Sequence, residues 1–370
     1  MIRVLQVMGC MNRRGAETFI MNIYRKIDRT QVQFDFLVYE DQKQDYEDEI
    51  ISLGGRVIHR SCQSGIMGIK SISIIKKVIN EYGPYSVIHA QTLFNICYAM
   101  LAALSYPKML RISHSHNTQN RVSPNILVRC YEWASLKIIR KYTQVMCACG
   151  EEAGEFLFGS EFKERGIVLS NGIDLGQFCN KDETKCNEIL KKLELENYLV
   201  IGSVARFFQV KNHEFMVKIA CVLRSKGVKF KMLLVGEGEL KEDIQKQINN
   251  CGLQNEVICL GVRSDISNLM HVFDVFLMPS YFEGNPVTLV EAQAAGLPCV
   301  ITDNITENID MGLQLINRCS LSDTPEAWAE TILKSSTSRV TDVKKIANNI
   351  RHKGYDAQST ADQLLNIYLS

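Results

Sequence analysis

At 370 residues, 46% hydrophobic and 22% charged with a net charge of +1, the chain is long enough for two cores of roughly 150 to 200 residues each. Near-neutrality leaves no global field to gather nucleic acid or acidic polymers, so a nucleic-acid partner is not expected. The 13 cysteines are scattered, odd in number and without a C-x-x-C, which excludes a disulfide framework or zinc ribbon and suits a reducing cytoplasm.

The chain opens with Ile2, Arg3, Val4, Leu5, Gln6 and Val7, which reads as a first strand and lacks the basic leader, apolar stretch and cleavage site of a secretory signal. Strands are predicted at Val4 to Met8, Phe34 to Val38, Val57 to His59, Val87 to His89, Leu110 to Ser113, Gln144 to Cys149 and Ile167 to Leu169. Amphipathic helices fall between them; over Glu17 to Ile27, for instance, Phe19, Ile20, Ile23 and Ile27 share one face. The apolar run Leu93 to Tyr106 is broken by Asn95 and falls short of the roughly 20 residues of a spanning helix, so no transmembrane segment is expected. Asn125 to Thr143 mixes apolar residues with Arg129, Lys137, Arg140 and Lys141, which fits either a core helix with a solvated basic face or one resting on an anionic membrane. Cys147 and Cys149 read as alternate positions of a strand, not a metal pair.

The polar stretch Asn180 to Asn197 reads as a connector, after which strands are predicted at Tyr198 to Val204, Lys231 to Val235, Val257 to Leu260, Val275 to Met278 and Cys299 to Thr302. The expected domains are therefore 1–179 and 198–356 around a connector 180–197. Ala357 to Leu369 has helical spacing of Leu364, Leu365 and Tyr368, and helix 357–370 is expected to pack back on the first domain. The fold class is α/β, two doubly wound Rossmann-like domains, with ligands expected in a cleft at the carboxyl ends of both sheets.

The most informative string runs from Tyr281 to Pro298. Asn285 at the N-cap and Pro286 at the first helical position suit a helix start, whose free N–H groups favour an anion. Glu283 and Glu291 flank that spot. A carboxylate accepts two hydrogen bonds at once, so Glu291 could hold vicinal ribose hydroxyls and Glu283 the hydroxyls of a donor sugar; the bland alternative is favourable interaction with the helix dipole. Ser113 to Asn117 end a first-domain strand, which directs them towards the expected cleft; His114 and His116 lack an evident third metal ligand.

At its Glu, Gly, Pro, Glu, Ala, Ala, Gly and Pro positions, the Glu283 to Pro298 string resembles the E-x7-E signature of glycosyltransferase family 4, a retaining family with the GT-B fold. Ser203 to Arg206, with Lys211 five residues on, resembles that family's diphosphate-binding Arg and Lys. Gly15 to Glu17, Asn171 to Asp174 with Phe178, and Val235 to Gly238 extend the likeness over most of the chain. The resemblance implies that Arg206 and Lys211 stabilise a leaving diphosphate, that Glu283 and His116, or His114 as second choice, line the reaction centre, and that Gly15, Gly236, Val262, Gly284, Asn285, Thr288 and Glu291 bind the donor, the nucleobase lying beside Val262. Arg14, Asn212 and Gln91 depart from the family's usual glycine, glycine and histidine.

A nicotinamide enzyme should show G-x-G-x-x-G after its first strand and a phosphate-loop enzyme G-x-x-x-x-G-K-[ST]; neither occurs. Asp-x-Asp, which resembles the metal-holding pair of GT-A transferases, is also absent. The expectation is a cytoplasmic, metal-independent and cofactor-free retaining hexosyltransferase. It would move sugar from a nucleotide-diphosphate donor, UDP ahead of GDP, to a glycan or lipid-linked acceptor of capsule or exopolysaccharide synthesis, with peripheral contact to the inner membrane face as an option. A UDP-sugar epimerase of GT-B type and a silent sugar-nucleotide-binding subunit are the alternatives.

Overall fold

The computed structural model describes residues 1–62, 65–117 and 124–370. The chain forms two compact units, Met1–Gly172 with Asp356–Ser370, and Ile173–Tyr355.

The first unit is built on strands β1 (Ile2–Val7), β2 (Val32–Val38), β3 (Arg56–His59), β4 (Val87–Ala90), β5 (Leu110–Ser115), β6 (Val145–Ala148) and β7 (Ile167–Val168), in the order β3-β2-β1-β4-β5-β6-β7. Every pairing is parallel, and helices cover both faces, which is why the strands read as near-continuous apolar runs. Successive side chains serve opposite faces. Val4, Phe34 and Phe36 join Phe19, Ile20 and Tyr24 of helix Gly15–Lys26, whereas Leu5, Val7 and Leu37 join Ile75 and Val78 of helix Lys70–Tyr82.

The second unit repeats this design with β8 (Leu199–Val204), β9 (Phe230–Val235), β10 (Val257–Gly261), β11 (Val275–Met278), β12 (Cys299–Thr302) and β13 (Ile316–Cys319), all parallel, in the order β10-β9-β8-β11-β12-β13. Val275 and Leu277 pack with Met216 and Ala220 of helix His213–Ser225; Phe276 and Met278 pack with Leu289 and Ala292 of helix Val287–Ala294. Strand β13 has no counterpart among the expected strands, because Asn317 and Arg318 break its apolar run.

The expected domain limits shift. Ile173, Leu175, Phe178 and Cys179 lie in an apolar layer of the second unit, and Ile173 N–H donates to Tyr355 O at 2.9 Å, so the first unit ends at Gly172 and not at 179. Nor is 180–197 a connector. It contains helix Glu183–Lys192, capped by Asp182 accepting from the Lys185 N–H at 3.1 Å. Cys186, Ile189, Leu190 and Leu193 recur among its charges at helical spacing and pack on the second unit.

Helix Ala357–Leu369 starts at Asp356, which accepts from the Gln358 N–H at 3.2 Å, and lies against helix Gly15–Lys26. Ala361, Leu364 and Tyr368 enter the layer of Phe34 and Phe36. Among the described residues no helix is long and apolar enough to cross a membrane. Because Leu364 is fully buried in that layer, Leu364→Ala should cost about 2–5 kcal/mol. Hydrogen exchange should show the loss of protection in β1 and β2 and not in β8 and β9; equal loss in both sheets would contradict this assignment of the C-terminal helix.

Candidate functional site

In the second sheet, winding runs outward from β8 through β9 to β10 and then on the other side from β11 to β13, so the loops behind β8 and β11 part at a topological switch point. Main-chain hydrogen bonds lace the loops at this end together. Ala205 N–H donates to Val235 O and Phe207 N–H to Glu237 O, both at 3.0 Å; Gly236 N–H donates to Gly261 O at 2.9 Å, and Tyr281 N–H to Val210 O at 2.8 Å. Gly236 has φ 142°, and a Cβ there would lie 2.1 Å from Ala205 O, so any side chain would force these loops apart.

Arg206 leaves this framework exposed, its guanidinium carbon 4.5 Å from the Phe208 ring centroid. Lys211 Nζ donates to both Glu283 carboxylate oxygens, at 2.6 and 2.7 Å, although the two residues are 72 positions apart. Asn212, standing where the resembling family usually has glycine, takes the left-handed conformation (φ 54°, ψ 45°) and donates from Nδ2 to Pro279 O at 3.0 Å. Asparagine tolerates that region better than most residues, so the departure preserves the turn.

Helix Val287–Ala294 begins one residue later than expected. Pro286 has an extended ψ of 98° and occupies the N-cap; Asn285 caps nothing, and its Oδ1 accepts from the Tyr355 hydroxyl at 3.1 Å. Beside Gly284, a Cβ would meet nothing within 4 Å, and Thr288 is half-buried. Glu291 is half-buried too and has no side-chain partner among the described residues; burial pushes its carboxyl up from the ordinary 4.5 to about 7. Val262 is 61% exposed, next to Gly261 at the end of β10, on a loop held by a bidentate Arg263 to Asp265 pair at 2.8 and 2.5 Å.

In the first unit the equivalent switch point lies between β1 and β4. An open depression of about 450 Å³ there is lined by Gly9, Arg14, Glu17, Glu40, Gln91 and Thr92, among others. Gly15 is the first residue of its helix, after an extended Arg14 (φ −128°, ψ 176°), and a Cβ on it would meet nothing within 4 Å. His116 follows β5, half-buried, with Nε2 2.8 Å from Gln91 Oε1. Burial depresses it to about 4. His114 is fully buried, stacked between His89 (centroids 5.4 Å apart) and His116 (4.3 Å), so it is His116 that reaches the surface.

Thus Arg206, Lys211, Gly236 and Glu283 converge, Gly284, Asn285, Thr288 and Glu291 follow on the same segment, and Val262 ends the adjoining strand; Gly15 and His116 stand in the first unit. The sequence reading missed Phe208 beneath Arg206 and the buried Gln6 and Tyr368 behind His116. A glutamine inside the apolar β1 run was the available signal. Among the described residues no cluster of three or more His, Cys, Asp or Glu side chains could hold a metal ion.

The profile described as Glycosyltransferase Family 4 matches residues 13–177, and that described as Glycosyl transferases group 1 matches residues 186–353. A Bacillus subtilis (strain 168) protein named "Putative glycosyltransferase EpsF" is 42% identical over 368 residues, covering 99% of this chain and 96% of that protein. The chain belongs to glycosyltransferase family 4. Staphylococcus aureus CapH, a capsular polysaccharide biosynthesis glycosyltransferase, is 24% identical over 100% of this chain and 99% of its own length. The crystal structure of Anabaena HepE in complex with UDP and glucose superposes with a TM-score of 0.78 at 18% identity, covering 99% of each chain, and the shared architecture is GT-B.

In this family 4 glycosyltransferase the unpaired Glu291 has a consequence for stability. With a folded-state pKa of about 7 against 4.5, the folded chain binds more protons between these values, so stability is greatest below pH 4.5 for this group and is lost as pH rises through 7. Glu291→Gln should therefore raise stability at pH 8 by about 1–3 kcal/mol and have little effect at pH 4.5. Thermal melts of both proteins across that range check this; a difference independent of pH would refute it.

Proposed function

We propose that the second unit binds a UDP-sugar, with a GDP-sugar as second choice, and that the enzyme transfers the sugar with retention and without a metal. The observation that supports this best is the Lys211 to Glu283 ion pair, which joins the Arg206–Lys211 segment to the E-x7-E segment at a sheet switch point. Arg206 and Lys211 stabilise charge on the departing diphosphate. Glu283 orients hydroxyls of the donor sugar, with Lys211 holding its carboxylate in place. Glu291 accepts from the two ribose hydroxyls, which would stabilise its charged form and relieve the cost of its burial. Gly236, Gly284, Asn285 and Thr288 line the donor, Val262 lies by the base, and from the first unit Gly15 meets the diphosphate and His116 the reaction centre. The UDP and glucose bound to HepE agree with this choice of donor.

Isothermal calorimetry with UDP- and GDP-sugars in EDTA tests the donor site. One nucleotide class should bind, and Arg206→Ala and Lys211→Ala should each weaken it about 10- to 150-fold, the loss of a charge-assisted hydrogen bond worth about 1.5–3 kcal/mol. Binding that requires a divalent metal would overturn the metal-independent reading, and binding unaffected by both substitutions would overturn the site.

We propose further that the acceptor is lipid-linked, in the synthesis of a capsule or exopolysaccharide, and is met at the cytoplasmic membrane face. Ile126, Leu127 and Trp133, 63%, 64% and 61% exposed, lie on helix Ile126–Tyr142, against which Gly65–Ile69 packs with Met67 and Ile69 exposed at 67% and 68%. Lys137 lies over Trp133 at 3.8 Å, and Arg129 and Lys141 are exposed. Apolar side chains rimmed by cations suit an anionic lipid surface. Arg140 does not belong to this rim: it is half-buried and donates to Leu157 O at 3.2 Å. Vesicles of anionic phospholipid should float the protein, whereas Trp133→Glu with Lys137→Glu should leave it at the bottom of the gradient; no flotation of the wild type would sink the proposal.

A further inference from the structure

A chain of buried polar groups runs from the C-terminal helix to His116. Tyr368 Oη lies 2.8 Å from His89 Nδ1 and 3.0 Å from Gln6 Nε2; Gln6 Oε1 lies 3.0 Å from Gln91 Nε2; Gln91 Oε1 lies 2.8 Å from His116 Nε2. Gln6 is fully buried, and Tyr368 is 4% exposed.

The chemistry of each group couples its direction to that of its neighbours. An amide nitrogen only donates and an amide oxygen only accepts. Gln91 gives its nitrogen to Gln6, so its oxygen faces His116, and His116 Nε2 must carry the ring proton. Gln6 in turn gives its nitrogen to the Tyr368 hydroxyl, whose own proton goes to His89 Nδ1. Reversing one member alone would set two nitrogens or two oxygens against each other, so the chain holds together in one polarity or reverses as a whole.

We infer that Tyr368 is a positioning residue, which through Gln6 and Gln91 keeps His116 in the Nε2-protonated tautomer with Nδ1 left as an acceptor. The inference deepens the proposed function and rests on the place given there to His116. The ring is also sandwiched against His114 and edged by Phe19 at 5.4 Å, so its plane is set by packing and its proton by the chain. His116 is depressed to about 4; it is therefore neutral near pH 7, and its tautomer decides which ring nitrogen donates and which accepts. The sequence separates Gln6 from Tyr368 by 362 positions, and only the return of the C-terminal helix to the first sheet joins them.

The test is nitrogen NMR of the full chain labelled at its seven histidines, with His116→Asn assigning the His116 signals. Tyr368→Phe removes one oxygen and keeps the ring on Phe34, 5.8 Å away; Gln91→Met severs the chain next to His116. Both should move His116 from the Nε2-protonated pattern to a mixture of tautomers. Both should lower kcat about 2- to 13-fold, as expected for losing one hydrogen bond's worth of ordering, with KM for the donor within about twofold. Turnover is read as UDP released from the UDP-sugar that calorimetry selects. A wild-type histidine pattern in Tyr368→Phe overturns the inference, whatever Gln91→Met shows. A tautomer change in both variants with kcat intact leaves the chain standing and removes His116 from the reaction centre.

Discussion

Two parallel strands can be joined only by a connection that returns across a face of the sheet. Both sheets here are parallel throughout, and in each the winding turns from one side to the other beside its first strand. At those two places the returning loops diverge and leave strand ends uncovered. The groups with chemistry hang from them: Arg206 behind β8, Glu283 and Glu291 behind β11, Gly15 behind β1 and Gln91 behind β4. Helices seal both faces with apolar layers, so the sheet ends are where polar side chains find room.

The switch-point end of the second unit holds its charges in three states of satisfaction. Lys211 and Glu283 are paired with little exposure, Arg206 is exposed over a ring, and Glu291 has no side-chain partner among the described residues. A paired lysine is held in place at low entropic cost, and because an ammonium has three donors it can serve Glu283 and a phosphate oxygen together. The unpaired Glu291 costs folding stability, and hydroxyl donors from a ligand would remove that cost; binding free energy is then available to the site that the folded chain had set aside.

Much of this was legible in the sequence because parallel strands buried on both faces announce themselves as apolar runs, and because the glutamates, glycines and proline of the Glu283–Pro298 string lie within one continuous segment. What was hidden had physical reasons. Helix Glu183–Lys192 masks three apolar positions among lysines and glutamates, with Leu193 at its C-cap, so the segment looked like a connector. Strand β13 is an edge strand with a polar middle. Asn285 and Pro286 carry sound helix-start chemistry, yet Tyr355, 70 positions away, takes the asparagine side chain, and tertiary contact overrode the local preference. Lys211 meeting Glu283 is likewise a product of the fold.

The three stacked histidines of the first unit limit what His116 can do. His89 is depressed to about 3 and His114 well below the ordinary imidazole value, by burial first and then by the neighbouring His116 ring. Charging any one ring would bury a cation against the others at centroid separations of 4.3 to 5.4 Å, with no carboxylate in the stack to compensate. The stack is therefore neutral as a unit near pH 7. That withdraws His116 from service as a general acid, since a group titrating near 4 holds too few protons to give. Hydrogen-bonding direction and shape are what it retains, and both are supplied from behind by glutamine amides and a tyrosine hydroxyl. A polar chain through a core is costly when any member lacks a partner; here the two glutamine amides and the tyrosine hydroxyl satisfy one another, and the cost falls on the two ends, where His89 Nε2 and His116 Nδ1 are buried and unmatched.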